Sequence, residues 1–162
     1  MLAIFTKTED PAMAERERII TANSTILFLL AYLVNFLAFQ GGTVVAASLA
    51  RIRHVLYPGF IDFKIADSQW RHNDVIFTYS AGPLLCLGIA VVSVFIFFYF
   101  KSKGGVLKLL FLWMFLHGFN FFFGSLVAGT LAKGSFWYAV RWATYSAPIT
   151  YGIAIAFALI LV

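Results

Sequence analysis

The 162-residue chain is 62% hydrophobic and 19% aromatic, and only 12% of its residues are charged. An average globular protein carries about 25% charged residues, so this composition indicates a membrane protein and excludes a soluble enzyme. All seven carboxylates lie before residue 75, outside the long apolar runs. Ion coupling through intramembrane acids therefore has no evident carrier. The scattered basic residues exclude a nucleic-acid-binding patch.

Four uncharged runs are long enough to cross about 30 Å of hydrocarbon, which takes about 20 helical residues. The first begins after a plausible helix cap at Asn23 or Ser24. We therefore predict an all-α polytopic membrane protein of one domain, residues 1–162, with four antiparallel transmembrane helices. The polar residues 1–22 are too acidic for a signal peptide, so we expect no cleaved leader. The four predicted spans cover residues 24–50, 77–100, 109–132 and 144–162.

The segments outside these spans carry two further signals. Residues 51–76 form a long loop, and the alternation within residues 60–65 predicts a short strand, as part of a hairpin. Aromatic residues before the fourth span have the composition of an interfacial belt. The four predicted spans put six basic residues on each side of the membrane, so the distribution of charge does not predict the orientation of the protein. The belt consists of Phe136, Trp137, Tyr138, Trp142 and Tyr145.

Polar and small residues interrupt the first predicted span. Asn35 and Gln40 need hydrogen-bond partners within the hydrocarbon. The pair Gly41 and Gly42 lies mid-span, where glycine lowers helix propensity but lets another backbone approach closely. We interpret these residues as a helix-packing or partner-binding face, with a ligand site as the alternative.

The third predicted span has a similar face. His117, Asn120 and Gly124 follow one another at spacings of three and four, so they share one side of a helix. Ser125 and Gly129 form a small-xxx-small pair beside them. His117 is a candidate metal or haem ligand. The alternative, which we favour, is a neutral histidine that is hydrogen-bonded to an asparagine or to Gln40 on a neighbouring helix.

Catalytic sequence motifs of the usual kinds are missing. The chain contains no HExxH, GxSxG or CxxC motif and no phosphate-binding glycine loop. Ser125 and His117 are eight residues apart on one helix, a rise of about 12 Å, which is too far for direct proton transfer. Cys86 is the single cysteine, so no intramolecular disulfide forms.

The order of segments nevertheless resembles the three-helix core of the site-2 protease-like intramembrane metalloproteases. The first span has a small, alanine-rich stretch followed by basic residues, and a strand-like loop comes next. The second span opens with Ala81-Gly82-Pro83-Leu84, similar to the Ala-Gly-Pro-Leu motif of that family. The third span carries asparagine and glycine where the family has an Asp-containing motif. The similarity in order and spacing covers roughly residues 30–130.

The resemblance implies a family scaffold without the family's metal chemistry. It places Phe39 and Thr43 at the positions of the two zinc-binding histidines, and Gln40 at that of the general-base glutamate. Phenylalanine cannot bind zinc, threonine binds it poorly, and glutamine is no base at neutral pH. We therefore expect neither enzyme activity nor a metal or cofactor of this kind.

These observations predict a non-catalytic subunit of a larger membrane protein complex, located in a bacterial inner membrane. Its expected partners are other integral membrane proteins and membrane lipids, not nucleic acid. Two alternatives stay open: a redox subunit in which His117 binds haem or a metal, and a module that binds a lipid or quinone between helices. The residues predicted to form the packing or partner interface are Asn35, Gln40, Gly41, Gly42, Gly82, His117, Asn120, Gly124, Ser125 and Gly129.

Overall fold

The computed structural model describes residues 11–100 and 105–162. The regular elements in this part of the chain are five helices, one small hairpin and a 3-10 turn, and three of the helices are long and apolar enough to cross a membrane. Residues 1–10 of the predicted polar segment and residues 101–104 lie outside the described residues. The helices are α1 (Pro11–Leu49), α2 (His72–Tyr99), α3 (Val106–Ala132), α4 (Phe136–Thr144) and α5 (Ala147–Leu161).

Helix α1 extends well before the predicted first span. It is continuous from Pro11, so the predicted cap at Asn23 or Ser24 is wrong. The residues before Asn23 include alanine, glutamate and arginine, which are strong helix formers, and a capping residue does not interrupt a chain that is already helical. Its 39 residues rise about 1.5 Å each, which makes α1 longer than a bilayer core is thick.

Helices α2 and α3 occupy the second and third predicted spans. Helix α2 begins at His72, five residues before the predicted boundary, and continues through Pro83 without a break. Proline is tolerated inside membrane helices where neighbouring groups satisfy the freed backbone, and Pro83 is buried. Helix α3 ends at Ala132, where Lys133 adopts a left-handed conformation with a φ of 51°.

The predicted fourth span and the aromatic belt before it form two short helices. Helix α4 contains the belt residues from Phe136 to Trp142, and Tyr145, with a φ of 53°, separates it from α5. Helix α5 is apolar but only 15 residues long. It is therefore shorter than the three helices that are long enough to cross a membrane.

The long loop between α1 and α2 contains the predicted hairpin. Strand β1 (His54–Leu56) pairs antiparallel with β2 (Ile61–Phe63), which confirms the strand predicted within residues 60–65. Lys64 Nζ donates a hydrogen bond to the Asp62 carboxylate, and this bond raises the pKa of Lys64. A 3-10 turn, Asp67–Gln69, then leads into α2.

The helices pack as a bundle of three with two short helices against it. Helices α1, α2 and α3 all contact one another, α4 lies against α2, and α5 lies against α3. A buried cluster joins the short helices to α3, and its members are Leu126, Phe136, Ala139 and Ala154. Many large hydrophobic side chains are exposed on the outer faces of the long helices, as is expected of surfaces that contact lipid.

Candidate functional site

Helices α1 and α2 touch backbone to backbone where each carries a predicted glycine. A Cβ atom on Gly82 would lie 2.5 Å from the carbonyl oxygen of Phe39 and 2.6 Å from Thr43 Oγ1. A Cβ atom on Gly42 would lie 3.2 Å from the carbonyl oxygen of Ala81. Glycine permits such an approach between membrane helices. Both glycines therefore serve packing within this chain.

All three long helices meet at Asn35, which is fully buried. Asn35 Nδ2 donates to the carbonyl oxygen of Ala31 at 2.9 Å and to that of Met114 on α3 at 3.3 Å. The Cys86 thiol of α2 donates to the Asn35 carbonyl oxygen at 3.4 Å. A Cβ atom on Gly118 would lie 2.6 Å from the Cys86 carbonyl oxygen. We call this contact the three-helix junction.

His117 lies beside the three-helix junction, packed among aromatic rings. Its ring centroid lies 4.5 Å from that of Phe28, 5.6 Å from that of Tyr32 and 6.4 Å from that of Trp113. Its Nε2 atom is buried and has no hydrogen-bond partner among the described residues. The predicted hydrogen bond between His117 and an asparagine or Gln40 is not formed among the described residues, because rings from α1 and α3 surround the imidazole.

A metal site would need further ligands near one another. Within residues 11–100 and 105–162, no three side chains among histidine, cysteine, aspartate and glutamate gather closely enough to hold an ion. The other histidines have different contacts: His54 Nδ1 lies 2.9 Å from the Ile52 carbonyl oxygen, and the His72 ring stacks on that of Tyr145 at 4.8 Å. The ring contacts of His117 in this arrangement are with aromatic side chains of α1 and α3.

The positions that the family resemblance assigns to the zinc ligands and the base share one cavity. Phe39, Gln40 and Thr43 line a space of about 330 Å³ between α1, the hairpin and α4. The Thr43 hydroxyl donates to the Phe39 carbonyl oxygen at 3.1 Å, as threonine commonly does within a helix. None of these three side chains ionises near neutral pH. The remaining lining residues are Gly59, Phe60, Ile61, Phe63, Tyr79, Ser135 and Tyr138.

A groove between α1 and α3 carries the other part of the predicted interface. Asn120 is exposed there, near the middle of α3. A Cβ atom on Gly124 would meet only the Asn120 side chain, at 3.1 Å from Oδ1. The groove has a volume of about 400 Å³. We call it the Asn120 groove, and its lining residues are Tyr32, Phe39, Asn120, Phe121, Gly124, Ser125 and Ala128.

The remaining residues of the predicted interface, Gly129, Ser125 and Gly41, have three different environments. A Cβ atom on Gly129 would clash with the Gly134 backbone and lie 3.3 Å from Trp137 Cβ, so Gly129 packs within the chain. Ser125 Oγ donates to the Phe122 carbonyl oxygen at 2.9 Å. Gly41 is exposed, and a Cβ atom there would meet nothing within 4 Å.

An aromatic pocket near the start of α2 was not predicted from the sequence. It has a volume of about 230 Å³ and combines residues from the 3-10 turn, α2 and α4. Two of its rings, Tyr138 and Trp142, belong to the interfacial belt noted in the sequence, but the other lining residues lie some 60 to 75 residues earlier in the chain. The lining residues are Asp67, Trp70, Val75, Tyr79, Tyr138 and Trp142.

The fold and these cavities define a helical protein with three helices that can cross a membrane. Comparison of the chain with protein-family models, with curated proteins and with solved structures finds no match.

Proposed function

We propose that this protein is a non-catalytic integral membrane subunit that binds a transmembrane helix of another protein in the Asn120 groove. The observation that carries the proposal is the exposed amide of Asn120 near the middle of an apolar helix. An amide in hydrocarbon has no water to bond with, and leaving it unpaired costs several kcal/mol. A partner helix that supplies a hydrogen bond removes this cost.

The shape of the groove suits a helix as the occupant. Gly124 and Ala128 are four residues apart, so they lie on one face of α3, and both line the groove. Small residues at this spacing let a second backbone approach closely in a membrane. One interhelical hydrogen bond contributes only about 0.6–1.7 kcal/mol, so close packing along the groove has to supply most of the affinity.

The resemblance to inactive site-2 protease-like proteins supports the non-catalytic part of the proposal. Phe39, Gln40 and Thr43 line one cavity, and none of them can hold zinc strongly or act as a base. In this proposal α5 acts as a fourth membrane-embedded helix, and the protein resides in a bacterial inner membrane. The described residues Tyr32 and Phe39 on α1 then form one wall of the partner site.

The test is purification of the full chain in a mild detergent, with the mass of the particle measured by light scattering. We expect a particle heavier than one chain that contains a second membrane protein, identified by mass spectrometry. A stable, lone monomer would contradict the proposal.

Two variants localise the contact. Gly124→Leu fills the groove and should release the partner, and Asn120→Leu should weaken its retention. Gly88→Leu is the matched control, because Gly88 lies on α2 with no atom within 4 Å of an added Cβ. Unchanged co-purification of the partner with Gly124→Leu would show that the groove is not the interface.

The haem or metal alternative retains one supporting observation, the buried and unpartnered Nε2 of His117. Visible absorption and metal analysis of the purified complex test it. A Soret band or stoichiometric metal that is lost in His117→Phe would favour a redox subunit. A colourless, metal-free complex with an unchanged partner would favour the first proposal.

A further inference from the structure

Four aromatic rings and one carboxylate surround the pocket near the start of α2. We call this group the aromatic cage, and the buried side chain of Val75 also lines the pocket. The rings come from two separate parts of the chain. Trp70 precedes α2 and Tyr79 lies in the first part of that helix, whereas Tyr138 and Trp142 lie one helical turn apart on α4. The members of the cage are Asp67, Trp70, Tyr79, Tyr138 and Trp142.

Three rings of the cage are held in place by one another and by the hairpin, and the fourth, Trp142, stacks on His72 at 5.8 Å. The Tyr79 ring centroid lies 5.7 Å from that of Trp70 and 5.4 Å from that of Tyr138. Phe63 of β2 packs edge-on against both Trp70 and Tyr79, at 5.5 Å from each. These separations and edge-on angles are typical of favourable aromatic pairs. The cage is therefore largely formed before any ligand enters it.

The charges of the described residues leave the cage free for a cation. Asp67 is exposed at its rim. Among residues 11–100 and 105–162, the salt bridge that forms joins Lys64 to Asp62, and the cation–π contact places Lys108 over Phe97. Neither involves a member of the cage. The site thus combines a carboxylate with aromatic rings that take no lysine or arginine as a cation–π partner within these parts of the chain.

We propose that the aromatic cage binds a quaternary ammonium group. Aromatic faces attract cations through their quadrupoles, and several rings together recognise methylated ammonium ions. Such an ion has no N–H group, so it needs no ring of hydrogen-bond acceptors, and one carboxylate balances its charge. Drug-sized ligands use pockets of about 300–1,000 Å³. A volume of about 230 Å³ suits a headgroup-sized ligand.

The position of the cage allows two sources for this group. The cage lies at the start of α2 and on α4, at one end of the apolar span of α2. Tryptophan and tyrosine concentrate at the level of lipid headgroups, so a choline headgroup can reach the site from the bilayer. A free quaternary ammonium compound can reach it from water. Both sources present the same trimethylammonium chemistry.

The first test is a titration of the full chain, purified in a maltoside detergent, with tetramethylammonium chloride. Native tryptophan fluorescence reports binding, because two of the four tryptophans belong to the cage. Ammonium chloride at equal ionic strength is the control ligand. We expect a saturable response to tetramethylammonium and none to ammonium. Equal responses to the two salts would overturn the proposal.

Variants with matched controls assign the response to the cage. Tyr138→Leu should weaken binding by roughly three- to thirtyfold, since one cation–π contact is lost, and Asp67→Asn should weaken it as well. Tyr99→Leu and Asp62→Asn are the controls, because Tyr99 is exposed at the far end of α2 and Asp62 is paired with Lys64. Asp67 is on the surface, so its variant stays informative if Tyr138→Leu fails to fold. Wild-type affinity in Asp67→Asn would overturn the proposal.

Reconstitution identifies the source of the ligand. The fluorescence titration is repeated in phosphatidylcholine vesicles and in phosphatidylethanolamine–phosphatidylglycerol vesicles. A tetramethylammonium response that is suppressed only in phosphatidylcholine assigns the cage to a lipid headgroup. An equal response in both assigns it to a free compound, and loss of the response in both contradicts the proposal. Gly124→Leu should bind tetramethylammonium normally, so failure of the cage and failure of the Asn120 groove are distinguishable.

Discussion

The three-helix junction and the aromatic cage are both built around α2, but they pack in opposite ways. At the junction, Asn35 and Cys86 are fully buried, and Gly118 leaves no room for a side chain. At the cage, rings from the loop, α2 and α4 enclose about 230 Å³ of space. The closest backbone contacts thus lie along α1, α2 and α3. The space for a ligand lies at one end of α2.

The largest expected effect comes from filling the junction. Gly118→Leu places a side chain where a Cβ atom alone would lie 2.6 Å from the Cys86 carbonyl oxygen, so helix backbones must move apart. We expect a loss of about 3 kcal/mol or failure to fold, as severe overpacking produces. Thermal unfolding in detergent, followed by circular dichroism, measures it. Gly88→Leu should unfold near the wild-type temperature, and equal losses in the two variants would remove the distinction between packed and open faces.

A smaller effect is expected from the buried amide. Asn35→Leu removes the hydrogen bonds to the carbonyl oxygens of Ala31 and Met114, and the second of these, between α1 and α3, contributes about 0.6–1.7 kcal/mol. The same assay should show a clear loss for this variant. Asn120→Leu, on the exposed face, should leave the stability of the isolated chain unchanged. The reverse order would contradict the assignment of Asn35 to folding and of Asn120 to partner binding.

Changes at the cage should affect the ligand far more than the fold. Asp67→Asn lies on the surface, where substitutions usually change stability by less than about 0.5 kcal/mol. We therefore expect an unchanged unfolding temperature together with weakened tetramethylammonium binding. A large drop in the unfolding temperature would mean that the carboxylate stabilises the 3-10 turn. Asp67 would then have a role in folding and not in ligand binding.

The smallest effect concerns the hairpin beside the cage. The bond to Asp62 raises the pKa of Lys64 above its ordinary value of 10.5. A raised pKa means that the pair stabilises the hairpin below pH 10.5 and that this contribution is lost as the pH rises through the raised value. Both side chains are exposed, so the energy involved is small. NMR titration of the Lys64 side chain should show the pKa return towards 10.5 in Asp62→Asn, and no change would contradict the pairing.

Hydropathy predicted the three long helices because bilayer thickness alone dictates the length of an apolar run. The alternation of residues 60–65 predicted the hairpin for an equally local reason. The start of α1 was mispredicted at Asn23, since a capping residue marks a helix start only when the preceding chain is not helical. The contacts of His117 and the assembly of the cage depend on residues far apart in the sequence, and no local pattern encodes such proximity.

The single cysteine gives the junction a built-in reporter. Cys86 is the only thiol in the sequence, and it is fully enclosed between α1 and α2. A thiol reagent can react with it only after the helices separate, so the rate of labelling counts the opening events of the native protein. Because this thiol already lies where three helices meet, the experiment needs no engineered cysteine. It measures how often the bundle opens while the rest of the protein stays folded.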